Sequence, residues 1–189
     1  MILNEQKILM LECFISNSHE KITASQTAKK HKLNQKSVYL FFEQLETQGI
    51  LMSEEQGKNK LYSLNQNNKE LIKQFLCAIE HLRTLFFYNK NPNIKFLAEH
   101  LVQHIKGIAA IFGSYAKSTQ KATSDLDLFI IGKFNEKEIL QIANTFNIEV
   151  NIKHKNTFKE DTLTKEIKKH HILIKNTEKF IQEANTWIN

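Results

Sequence analysis

Asp125 and Asp127 stand two residues apart at the head of an apolar run, Leu128 to Ile131. In a strand they share a face, with Cα atoms about 6.5–7 Å apart at a rise of ~3.3 Å per residue. Two carboxylates side by side, with no basic neighbour in the segment, are costly unless a cation holds them. Upstream, Ile108 to Phe112 is a second apolar run of strand length, ended abruptly by Gly113-Ser114. Glycine lets the backbone turn tightly and approach a ligand closely. Tyr115-Ala116-Lys117 then reads as the first turn of a helix. A strand, a small-residue turn and a helix start make an anion site, with N–H groups and a positive dipole end facing outward. Phosphate cradle and paired carboxylates together outline a Mg2+–nucleotide site.

Gly113-Ser114-x-Ala116-Lys117 followed by Ser124-Asp125-x-Asp127 resembles the signature of the DNA polymerase β-like nucleotidyltransferases, and most closely their minimal branch. The resemblance implies that Gly113, Ser114, Lys117 and Ser124 bind the nucleotide. It implies that Asp125 and Asp127 are the catalytic carboxylates and hold Mg2+ or Mn2+. The substrate would be an NTP, and a nucleoside monophosphate would pass to an acceptor hydroxyl with release of pyrophosphate. Acceptors in that family include nucleic acid, small molecules and proteins, among them toxin partners of antitoxin-like members. The family usually carries a third carboxylate on the strand that corresponds to Ile148–Ile152, where it serves as general base. The best aligned position here is Asn151, with Glu149 the alternative. An asparagine cannot take a proton and binds Mg2+ more weakly than a carboxylate. Ser118 stands where the family usually has glycine, so a differently shaped turn is expected there. A catalytically weak or inactive nucleotide-sensing regulator is the alternative reading.

The elements that must position these residues follow from periodicity and caps. Leu3 to Ile15 reads as a helix with a broad apolar face. Thr23 and Gln26 form a capping box for a short helix ending near His31. Asn34 caps the next, Gln35 to Gln48, with Val38, Phe41, Phe42 and Leu45 inward and Gly49 just past its end. Ile50–Met52 and Lys60–Leu64 read as strands joined by a polar turn holding Gly57. Three helices and a hairpin in this order resemble the winged helix-turn-helix domain of transcription regulators. The resemblance implies DNA binding through Gln35, Lys36, Ser37 and Tyr39 of the third helix and Lys58 and Lys60 of the wing. Lys29, Lys30 and Lys32 add positive charge nearby. Glu43 repels phosphate, and an exposed Tyr39–Leu40 pair also suits a protein contact.

A helix from about Lys69 to Tyr88 follows, with Leu71, Phe75, Ile79, Leu82 and Phe86 at helical spacing. Its second apolar fringe, Leu76 and Phe87, suits contact with both domains, with another copy in a homodimer, or with its own domain alone. Pro92 ends it. Ile94 to Ile105 is expected as a helix with Phe96, Leu97, Leu101 and Ile105 inward. Asn135, with Glu138 completing a box, caps a helix that contains Ile139, Leu140, Ile142, Ala143 and Phe146. Ile148 to Ile152 is a strand with Glu149 and Asn151 on one face. His170 and His171 point apart and suit surface or packing roles rather than a metal. Trp187 is expected as a packing anchor.

The expected architecture is α+β: a winged helix-turn-helix over residues 1–66, a helical connector over 67–91 and a small mixed-sheet nucleotidyltransferase-like domain over 92–189. A formal charge of +6 favours a polyanionic partner. The two cysteines, Cys13 and Cys77, lie in apolar helical patterns and read as buried thiols. No apolar run approaches the ~18 residues of a membrane span, so no membrane partner and a cytoplasmic location are expected.

Overall fold

The structure, a computed structural model, describes residues 3–121 and 123–185. Trp187 lies outside the described residues. The chain divides into two compact units, one reaching Ile79 and the other running from Glu80 to Ala184.

The first unit holds α1 (Glu5–Ser16), α2 (Ala24–His31), α3 (Gln35–Thr47), β1 (Leu51–Gln56), β2 (Asn59–Leu64) and the first half of α4 (Lys69–Lys90). Its helix starts follow the side-chain caps. Asn4 accepts from the Lys7 N–H, Thr23 and Gln26 bond reciprocally, and Asn34 accepts from the Ser37 N–H. Such caps satisfy backbone donors that a helix start leaves without partners. The core is aromatic. Phe42 lies 5.6 Å from the Phe14 ring and 5.1 Å from Tyr62, all three fully enclosed. The hairpin pairs Leu51 with Leu64 and Gln56 with Asn59, leaving Gly57 and Lys58 as its tip. Tyr39 and Leu40 are exposed, as their positions on the helix require. Cys13 is buried, and burial pushes its thiol up to about 12, whereas Cys77 is only half-buried, contrary to expectation.

The second unit continues with α5 (Pro92–Leu101), a short 3-10 turn (Val102–His104), β3 (Ile105–Phe112), α6 (Gly113–Ala116), β4 (Leu126–Phe134), α7 (Glu136–Thr145), β5 (Val150–Lys155), α8 (Thr162–Lys169), β6 (Ile172–Lys175) and α9 (Thr177–Ala184). The sheet order is β5-β4-β3-β6, with β4 and β5 parallel and the other pairs antiparallel. Parallel pairing needs a crossover, and α7 provides it. The two central strands read as nearly continuous apolar runs because both faces of the sheet are covered. Ala109, Ile111, Leu126, Leu128 and Ile130 join Leu97, Leu101, Ile139 and Ala143 on one side. Ile108, Ala110, Phe129 and Ile131 join Ile167, Phe180 and Ala184 on the other.

Several local expectations change. The helix expected over Ile94–Ile105 stops at Leu101, and Ile105 already opens β3. Phe96, expected inward, is 53% exposed, because the helical stripe it flanks is filled by Leu97 and Ala98. Asn135 does cap α7, but only the bond from the Glu138 N–H forms. No described helix is long and apolar enough to cross a membrane.

Candidate active site

Register brings the sequence motif together. β3 ends at Phe112, which is paired with Asp127, and Asp127 is paired on its other side with Asn151 of β5. The Gly113 turn, the Asp127 carboxylate and the Asn151 amide therefore lie along one line across three strands. Gly113 has φ +68°, and a Cβ there would sit 2.0 Å from Asp127 Oδ2. Only glycine admits the carboxylate at that distance. The other oxygen, Oδ1, accepts a hydrogen bond from Asn151 Nδ2 at 3.1 Å. Asp127 is half-buried within β4, Asp125 is exposed immediately before the strand, and Leu126 between them is fully enclosed.

No lysine, arginine or histidine among the described residues forms an ion pair with either acid. Nor do three metal-binding side chains come together there, so Glu149 does not join Asp125 and Asp127. Its backbone carbonyl instead accepts from the Leu126 N–H at 2.8 Å, while its side chain is exposed. Two hard oxygen donors with open surroundings fit Mg2+, which keeps water and substrate phosphate as its other ligands.

The turn after β3 is shaped by its own backbone. The Lys117 N–H donates to the Gly113 carbonyl, and the Thr119 N–H to that of Ser114. No side chain caps the Gly113 end of α6. Ser118 has φ +55°, the left-handed conformation that a glycine takes at little cost. Ser118 therefore adopts a backbone that suits glycine, at some strain. Ser124 is tied into a turn, its hydroxyl accepting from the Lys121 N–H at 2.9 Å.

Lys117 carries a partner that the sequence did not reveal. Its ammonium lies 2.6 Å from Glu166 Oε1 on α8, and that cation holds the Glu166 carboxyl below its usual range. Nothing in the spacing of residues 117 and 166 signals the pair, since it depends on where α8 packs.

A second missed group surrounds the buried Glu80 and His171, with Arg83 half-buried beside them. Arg83, the only arginine of the chain, donates from Nη1 to Glu80 at 2.8 Å and from Nη2 to the His171 carbonyl at 3.0 Å. His171 Nδ1 lies 2.7 Å from the Ile167 carbonyl, which can only accept, and Nε2 lies 3.2 Å from Glu80. Burial works to raise the Glu80 carboxyl, but the Arg83 and His171 charges outweigh it and hold the group at about 2. A guanidinium fork serves two acceptors at once where an ammonium is a single point charge. A lone arginine among many lysines was the available signal.

In the first unit, Gln35, Lys36, Ser37 and Tyr39 are exposed along the start of α3, and Lys58 is exposed at the hairpin tip. Lys60 is not free. Its ammonium lies 2.6 Å from Glu43 and 2.7 Å from Glu46, while the Tyr62 hydroxyl donates to Glu43 at 2.6 Å. The bonds from Lys60 and then Tyr62 hold the Glu43 carboxyl below its usual range.

Residues 88–180 match the family model described as Polymerase beta, Nucleotidyltransferase. The matched segment contains the Gly113 turn, Asp125, Asp127 and Asn151, and it is similar to a nucleotidyltransferase domain of that family. No curated protein matches the chain.

Proposed function

We propose that the second unit transfers a nucleoside monophosphate from an NTP to an acceptor, directed by the first unit acting as a winged helix-turn-helix that binds DNA. The observation that carries the reading is the contact of Asp127 with Gly113, which places a carboxylate against the turn that would cradle phosphate. Asp125 and Asp127 would hold Mg2+, whose charge offsets that developing on the transferred phosphoryl group. The Gly113–Ser114 backbone backs the phosphates. Lys117 exchanges its carboxylate partner Glu166 for phosphate oxygens, a swap between two anions of similar reach. Asn151, through its bond to Oδ1, fixes the orientation of Asp127. The acceptor oxygen bonds to the α-phosphorus as its proton passes to solvent water, the bond from the α-phosphorus to the bridging oxygen of the β-phosphate breaks, and pyrophosphate leaves. Candidate acceptors include a partner protein, in the manner of an antitoxin.

Asn151 favours a second reading, a nucleotide-sensing regulator without turnover. Its amide occupies the position paired with Asp127 and cannot accept the proton of an attacking hydroxyl. Under that reading the ligand changes DNA binding and is released unchanged.

The test is incubation with α-labelled NTPs and Mg2+ in a lysate of the source cells, beside the Asp125→Ala/Asp127→Ala variant. Label on any acceptor, absent with the variant, supports transfer. Nucleotide binding without label supports the regulator and rejects the enzyme.

A further inference from the structure

The end of the sheet remote from Asp127 carries a second concave site. Lys106 of β3 and Lys133 of β4 are register partners, directly opposite one another. Like charges so placed destabilise a sheet, and neither has a hydrogen-bond or ion-pair partner among the described residues. Next to them, Gly107 and Gly132 are also register partners, both at positive φ. A Cβ on Gly107 would lie 1.9 Å from the Ile131 carbonyl oxygen, and one on Gly132 would lie 2.5 Å from that of Lys106. The two backbones approach too closely there for any side chain, so the sheet surface is left without bulk beside the lysines.

Over this end lies a groove of about 380 Å³ whose lining includes Lys106, Asn156, Thr157, Phe158, Lys179 and Glu183. Asn156 and Thr157 are exposed and have no side-chain partner among the described residues. Glu183, the one acid in the lining, is matched by Lys179 at 3.7 Å. The net field in the groove is therefore positive, from Lys106 and the adjoining Lys133. Phe158 supplies an apolar wall, its ring packed edge-on against Phe180 at 5.6 Å. A pair of exposed ammonium groups without protein partners among the described residues, neutral amide and hydroxyl groups and an aromatic wall match an anionic ligand that carries a planar apolar part.

We propose that this groove binds a phosphorylated nucleoside, with its phosphate on Lys106 and Lys133 and its base against Phe158. The same chemistry is offered by a free nucleotide and by a residue of a single-stranded nucleic acid. Lys133 is six residues along β4 from Asp127, about 20 Å at a strand rise of ~3.3 Å per residue. One mononucleotide does not span both sites, so the groove is separate from the carboxylate site and does not depend on transfer there.

The experiment is a binding titration of the full chain with a fluorescent nucleoside monophosphate and with a fluorescent short single-stranded oligonucleotide. It is run in EDTA, which silences the carboxylate site. Wild type is compared with Lys106→Gln/Lys133→Gln, with Phe158→Leu and with Asp125→Ala/Asp127→Ala. The proposal expects binding in wild type and in the aspartate variant, and about tenfold or greater loss in the lysine variant. A smaller loss is expected in Phe158→Leu. Binding of the mononucleotide identifies a free nucleotide as ligand, and binding of the oligonucleotide alone identifies a strand. If neither probe binds, or if the lysine variant binds as wild type does, the proposal is overturned. Thermal melting of the lysine variant at or above the wild-type temperature confirms that it is folded, as expected when a repulsive pair is removed.

Discussion

Glu43 and Glu46 on α3, and Asp125 just before β4 with Asp127 inside it, are both closely spaced acid pairs, and their surroundings differ completely. The glutamates share one ammonium, Lys60, with Tyr62 and Ser53 donating to them as well. Asp127 has one neutral amide, from Asn151, and neither aspartate has a cationic partner among the described residues. The first pair is complete within the protein and fastens the hairpin to α3. The second is left with charge to be met from outside. Closely spaced carboxylates are thus not in themselves a metal site; what matters is whether the fold supplies the counter-charge. Glu80 belongs with the glutamates, since Arg83 and His171 enclose it.

The largest effect is expected from Gly113→Ala. The added Cβ meets Asp127 Oδ2 at 2.0 Å, and the residue must hold φ +68°. Nucleotide transfer should fall by about 100-fold or more, as expected when a reacting group is misplaced by ~1 Å. Stability in urea should drop by about 2–4 kcal/mol. An active, stable alanine variant would show that the turn and the carboxylate do not act together.

The acid pairs themselves should respond in opposite ways to loss of charge. Lys60→Met strands two carboxylates, and the chain should lose about 1–2 kcal/mol in denaturant unfolding. Asp125→Asn relieves a repulsion, so its stability in EDTA should equal or exceed that of wild type, while stabilisation by added Mg2+ disappears. Equal losses in the two variants would remove the distinction.

The enclosed Glu80 predicts an acid limb. Its carboxyl is held at about 2, below its unfolded value, so its contribution is present at neutral pH. That contribution declines as pH falls below the ordinary glutamate range near 4.5 and toward 2, where the folded state also takes up the proton. Thermal melting between pH 5 and about 2.5 should show the decline in wild type and a flatter profile in Glu80→Gln. Parallel profiles would place the acid sensitivity elsewhere.

The smallest effect is expected at Ser118. Replacement by glycine at φ +55° should raise stability by about 0.5–1 kcal/mol without loss of nucleotide affinity. A destabilised glycine variant would mean that the serine side chain contributes more than its backbone costs.

Features that rest on local chemistry were legible in the sequence. The caps at Thr23 and Asn34 and the strand ending at Gly113 depend on neighbours a few residues away. Alternation put both Glu149 and Asn151 on one face, and only the register of β5 against β4 sets Asn151 beside Asp127. The ion pairs Lys117–Glu166 and Lys60–Glu43 were not legible, because each joins two elements whose packing sets the distance. The exposure of Phe96 was not legible for a related reason. Periodicity marks an apolar stripe but not how wide a stripe the sheet can cover, and Leu97 already fills that surface. Lys106 and Lys133 carried no signal alone, since only the register of β3 against β4 sets them face to face.

The most direct test of the central claim is calorimetric titration with a non-hydrolysable NTP analogue, with and without Mg2+, on wild type, Asp127→Asn and Glu43→Gln. If the uncompensated aspartates are the ligand site, binding requires Mg2+, is lost in Asp127→Asn and is unchanged in Glu43→Gln. Equal affinity in wild type and Asp127→Asn, or no binding by wild type with Mg2+ present, would contradict the assignment.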